Sequence, residues 1–147
     1  MEQVLLSIHV VAGIVFVGGS AVATSLFPRY APVTGGPADS ERSPGIARAM
    51  HRITGGYAKL GLIVPLIGIV LAAVQGRMGE IWITVAMILT AIAGGLVALQ
   101  IYPLQQTALA DPDDGRRLRT LSMLAGIYNL LWTAVVVLMI VRPGSTA

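Results

Sequence analysis

Few side chains in this 147-residue sequence can do chemistry, and their types narrow what that chemistry is. There are two histidines and no cysteine, so disulfides, thiolate metal sites, iron-sulfur clusters and cysteine nucleophiles are excluded. His9 stands inside an apolar run, Val4 to Phe27. An ionisable group in such a run is costly to bury, which makes it a functional candidate: a ligand for a metal or haem iron, or a proton relay. The structural alternative is a neutral imidazole that donates one hydrogen bond to a neighbouring helix. Met87 and Met139 stand in two further apolar runs, and one histidine with thioethers suits Cu(I), or haem held by one His and one Met. Methionine is equally at home as apolar filler. Asp111, Asp113 and Asp114 lack the remaining ligands and terminal glutamate of a calcium loop and read as a turn into a helix. There is no phosphate-binding glycine loop, serine elbow or metalloprotease motif, so soluble-style hydrolysis or phosphoryl transfer has no support, and the reading leans away from an enzyme without excluding one.

The elements that position these residues follow from composition. Hydrophobic residues make up 55% of the chain and charged ones 12%, too few charges to cover a water-soluble surface. Lipid is the solvent this implies. The net charge of +3 does not indicate nucleic acid, because no aromatic residues interleave with the basic clusters. Four runs are long enough to cross a bilayer: 4–27, 56–75, 81–102 and 121–141. Each must be helical, since backbone amides in hydrocarbon are satisfied only within the segment or in a closed barrel. The expectation is an all-α integral membrane four-helix bundle in one domain.

Orientation follows from Lys and Arg. Residues 28–53 carry Arg29, Arg42, Arg48 and Arg52, with Lys59 at the edge of the second span, and the third connection carries Arg116, Arg117 and Arg119. The other side has Arg77 and Arg142. Both basic loops are therefore expected in the cytoplasm with both termini outside, and Arg48, Arg52, Lys59, Arg116, Arg117 and Arg119 at the membrane surface. Residues 28–53 are expected to be irregular to Ile46, with a short interfacial helix over Ala47–Ile53. His9 then lies about 8 Å below the outer entry of its helix, at the depth of Met87, with Met139 nearer the surface. His51 falls on the opposite side of a core about 30 Å thick, so the two histidines cannot share one iron; His51 reads as an interfacial residue beside Arg48 and Arg52.

Helices in lipid associate through close approach at small residues. Ala86, Thr90, Gly94 and Ala98 form a four-residue ladder in the third span, and Ser122 and Gly126 offer the same register in the fourth, where Asn129 is the deepest polar residue. In the first span His9, Gly13, Phe16, Ser20 and Thr24 share a face, and Gly18 and Gly19 are further contact candidates. Pro65, with Gly61 and Gly68, is expected to kink the second helix. Gly18-Gly19 before Phe27-Pro28 and Gly94-Gly95 before Tyr102-Pro103 suggest two repeated helix pairs, although the spacings differ by one residue.

The segment from His9 through Phe16 to Gly18-Gly19, with the Pro28-Arg29 exit, resembles the opening helix of a group of small four-helix bacterial membrane proteins. The group includes HemJ-type protoporphyrinogen oxidases and the membrane domains of CopD-like copper-resistance proteins. The resemblance covers about the first fifth of the chain, and the third span has no lysine where the oxidases carry one. It implies a relative of that group in a bacterial inner membrane and a haem or copper role for His9. The leading expectation is a multi-pass membrane protein that self-associates or serves as an accessory subunit of a larger membrane complex. The rival is a haem- or copper-linked protein using His9, with porphyrinogen oxidation as its extreme form.

Overall fold

The computed structural model describes residues 1–37 and 40–145; Ala38, Asp39, Thr146 and Ala147, parts of the long loop and the tail, lie outside the described residues. Those described are helical or irregular, with no strand among them. Four helices are long and apolar enough to cross a membrane: α1 (Glu2–Tyr30), α2 (Pro44–Val74), α3 (Ile81–Ala110) and α4 (Arg116–Val141). They form an up-and-down bundle in which α1 packs on α2 and α4, and α3 packs on α4 and α2. Its outer surface is apolar: Ile14, Leu99, Leu130 and Ile140, one from each of α1 and α3 and two from α4, are 69 to 75% exposed, as expected where hydrocarbon is the solvent.

The helices run past the apolar limits of their spans at the end that carries the basic loops. α2 begins at Pro44, where Ser43 caps it through Oγ to the Ile46 amide at 3.3 Å and Pro44 needs no partner for an amide it lacks. The separate interfacial helix expected over Ala47–Ile53 is instead the first turns of α2, continuous to Leu60. Ala47 is fully buried while Arg48 and Arg52 are exposed, so one face of this polar stretch packs and the other is solvated. The C-terminus of α1 is closed by Arg42, whose guanidinium donates to the carbonyls of Pro28 and Ala31 at 2.9 and 2.8 Å.

The acidic turn before α4 works as a cap. The Asp113 carboxylate accepts from the amides of Gly115 at 2.8 Å and Arg117 at 3.3 Å, and its carbonyl accepts from the Thr34 amide at 2.8 Å. These amide bonds, Gly115 first, hold its carboxyl below the usual carboxylate range. The cap is therefore complete above the ordinary carboxylate pKa and is lost as pH falls through that lowered value. Arg117 is consumed here, ion-paired to Asp111 at 3.7 Å, rather than free at the surface with the exposed Arg116, Arg119 and Lys59.

The small-residue ladder of α3 does not run straight. Ala86 is buried, Thr90 and Gly94 are half-buried and Ala98 is exposed, whereas Ala93, Val97 and Ile101 form the contact face. Steps of four residues overshoot a 3.6-residue turn by about 40° each, so the ladder rotates out of the interface. The wide π turn over Val97–Ile101 absorbs that drift and keeps Val97, Ile101 and Gln105 on one face. α1 has its own π turn at Gly13–Val17, before its glycine pair, whereas that of α3 follows the pair.

Close approach is concentrated at glycines that face rings. A Cβ on Gly19 would overlap the Tyr57 ring, and one on Gly55 would lie 2.6 Å from the Tyr102 ring; Gly13, Gly18, Gly94 and Gly126 would meet nothing within 4 Å. Those four make no close approach within the chain. We predict that Gly19→Ala destabilises the bundle by about 1–3 kcal/mol, while its neighbour Gly18→Ala is neutral or stabilising by up to about 1 kcal/mol. Unfolding of the two variants in detergent, followed by circular dichroism, checks this; equal stability would refute the ring-in-notch account.

Candidate functional site

His9 is buried on α1 and faces α2. Two features of α2 receive it. Pro65 has no amide to give the Gly61 carbonyl, which accepts instead from Val64 at 3.1 Å, and the helix is interrupted at Gly61 and Leu62. Beyond the break, Gly68 leaves room for the imidazole: a Cβ there would lie 2.9 Å from His9 Cε1. The ring then places Nδ1 3.0 Å from the Val64 carbonyl oxygen. A carbonyl only accepts, so Nδ1 carries a proton, and in its neutral form the ring presents a bare Nε2. This arrangement, one nitrogen fixed by a backbone carbonyl and the other free, is the one metal-ligating histidines use.

The ring borders a cavity of about 270 Å³ between the four helices, at the end holding the N-terminus and the α2–α3 turn. Pro65 and Gly68 form part of its wall, with Met87 and Thr90 of α3 and Met139 of α4. His9, Met87 and Met139 thus border one space. Sequence reasoning missed the polar groups above it: Gln75, Trp82 and Arg142 also line the cavity. Arg77 and Glu80 pair at 3.4 Å with little exposure, the Trp82 indole N–H donates to Glu80, and the Arg142 guanidinium sits 5.8 Å from the Trp82 ring centroid. Gln75 donates to Glu2 at 2.7 Å. The cover therefore joins the start of α1, the α2–α3 turn and the end of α4. Arg142 takes a left-handed backbone (φ 49°) as the residue ending α4. A tryptophan and an arginine flanking two apolar runs were the available signal.

His51 lies elsewhere. It is half-buried at the basic end, stacked on Tyr102 with ring centroids 4.3 Å apart and planes 12° from parallel. Its Nδ1 donates to Gln105 Oε1 at 2.9 Å, and Gln105, fully buried, reaches Thr54 Oγ1 at 3.4 Å. It therefore turns into the bundle and away from the exposed Arg48 and Arg52. Val64, which binds His9, is thirteen residues further along α2, about 20 Å at helical rise. The two imidazoles do not form one site. Between them Ser20 donates to the Val17 carbonyl at 2.9 Å and accepts from the Tyr128 hydroxyl at 2.7 Å, tying α1 to α4. Asn129 donates to Ser25 at 3.0 Å across the same pair of helices.

No group of three or more His, Cys, Asp or Glu that could hold a metal ion occurs among the described residues. The soft donors that border the same space as His9 are the thioethers of Met87 and Met139. The cavity volume lies below the range of about 300–1,000 Å³ for drug-sized ligands. A porphyrin enclosed on all sides would need more room than this volume. No family model matches the chain, and no curated protein or solved structure gives a significant match. We predict that nitrogen-15 NMR of histidine-labelled protein in micelles shows neutral His9 as the Nδ1–H tautomer, and that Gly68→Ala disturbs its signal. An Nε2–H tautomer would contradict the carbonyl bond.

Proposed function

We propose that this chain is a multi-pass membrane protein that binds a soft metal ion, Cu(I), in the half of the bundle away from the basic loops, using His9 with Met87 and Met139. The observation that carries this reading is the His9 ring itself, with Nδ1 held by the Val64 carbonyl and Gly68 kept open beside it. Holding a histidine in one tautomer beside a methionine-bordered cavity is what a ligand needs, and packing alone does not require it. Thioethers are weak, neutral donors, suited to a monovalent ion that is held and released. The resemblance of the first helix to copper-linked and haem-linked membrane proteins points the same way for the metal, and the cavity is small for an enclosed haem. Eight basic residues on one side favour termini outside the cytoplasm. A reporter fused after the C-terminus checks this orientation, since activity only in the cytoplasm would reverse it.

A second reading, self-association or service as an accessory subunit, is supported by Gly126 and Thr133, small and polar positions exposed on α4. Gly126→Leu that dissociates an oligomer in detergent without unfolding the chain would favour it.

For the copper reading, detergent-purified protein loaded with Cu(I) under reducing conditions and analysed for metal should retain stoichiometric copper. His9→Ala should abolish retention, Met87→Leu and Met139→Leu should weaken it, and Gly68→Ala should cost about 10–100-fold in affinity by shifting the ring. Absence of uptake, or uptake unchanged in His9→Ala, sinks the proposal. A Soret band lost with His9 would restore haem.

A further inference from the structure

A second cavity, of about 360 Å³, opens at the opposite end of the bundle. Its walls come from three elements. The end of α1 supplies Ser25 and Arg29, the loop before α2 supplies Arg42, and the turn into α4 with its first residues supplies Asp114, Arg119 and Ser122. Three arginines and one aspartate line it, an excess of positive charge that an anion would balance. The carboxylate is partly occupied, since Asp114 accepts from the Arg116 amide at 3.3 Å.

The three arginines are held differently. Arg42 is anchored by the Pro28 and Ala31 carbonyls, which fixes its charge at the rim whether or not a ligand is present. Arg29 pairs with Glu41 at 3.3 Å, but both side chains are more than 60% exposed, and such pairs contribute little. Arg119 is exposed and in none of the ion pairs among the described residues. Two exposed arginines beside a fixed one, with the Ser122 hydroxyl on the same wall, match a phosphate oxyanion, to which arginine binds in forked geometry; the Ser25 hydroxyl gives its proton to the Ala21 carbonyl at 2.7 Å and takes no part.

Depth adds a second argument. The apolar run of α4 begins at Leu121, so Ser122 and Arg119 straddle the level at which hydrocarbon gives way to headgroups. Basic pockets between helices at that level are where anionic lipid headgroups bind. We infer that this cavity is a phosphate-binding site whose ligand is the phosphodiester of an anionic phospholipid; free phosphate offers the same chemistry from the aqueous side.

The test uses the full chain in nanodiscs of phosphatidylcholine with one quarter phosphatidylglycerol, released into a native mass spectrometer. Phosphatidylglycerol adducts should be enriched over the bulk ratio. Arg29→Gln with Arg119→Gln should cut that enrichment about tenfold, while Arg48→Gln with Arg52→Gln, which removes two charges from the same end outside the cavity, should leave it within about twofold. A parallel titration with inorganic phosphate in detergent separates the sources. Phosphate adducts that depend on Arg29 and Arg119, without lipid enrichment, keep the site and change its ligand. No enrichment and no phosphate binding, or equal losses in both double variants, overturns the proposal. None of these variants touches His9, so the result is independent of copper binding.

Discussion

Helices that lie in hydrocarbon gain nothing from hiding apolar side chains from one another, because lipid is as apolar as leucine. What remains is shape and the few polar bonds that lipid cannot make. In this chain shape is supplied three times by a ring lodged over a glycine: Tyr57 over Gly19, Tyr102 over Gly55 and His9 over Gly68. Each of the three involves α2. That helix gives a tyrosine to α1, receives a tyrosine from α3 and receives the histidine of α1, so its register fixes both neighbours. Polar bonds take over where α2 is absent, and the Ser20–Tyr128 contact joins α1 to α4.

The same helix divides the molecule chemically. Its break at Gly61 and Leu62 separates a polar, amphipathic half carrying Arg48, His51, Arg52 and Thr54 from an apolar half carrying Pro65 and Gly68. The polar half meets Gln105 and Tyr102 and builds a satisfied network at the basic end. The apolar half meets His9 and leaves a cavity. Two imidazoles in one small protein thus have opposite surroundings, one among hydrogen-bonding side chains and stacked rings, the other fixed at a single nitrogen beside empty space.

Hydropathy made the four helices legible, because a run of about twenty apolar residues has few other uses. It did not show where they end. The turns from Pro44 to Gly55 carry arginines on one face and Ala47, Met50 and Thr54 on the other, a pattern that a mean-hydrophobicity reading treats as loop. The inward direction of His9, and its separation from His51, followed from helical spacing and charge. The partner of His9 was hidden for a different reason, since a main-chain carbonyl has no letter in the sequence. The ladder of α3 misled because steps of four hold a face only where the helix widens, and a π turn leaves no compositional trace.

Holding an imidazole by a main-chain oxygen has an evolutionary corollary. Position 64 can change to any side chain that keeps the helix without removing the acceptor, whereas a larger residue at position 68 displaces the ring from that acceptor, because the space beside it is already taken. In a lineage that keeps this arrangement, the signature of the site would be an unvarying glycine three residues past an invariant proline, opposite a histidine, with the bonding partner drifting freely. The trace of such a site in an alignment is therefore a place where nothing is allowed to grow, rather than a matching pair of functional groups.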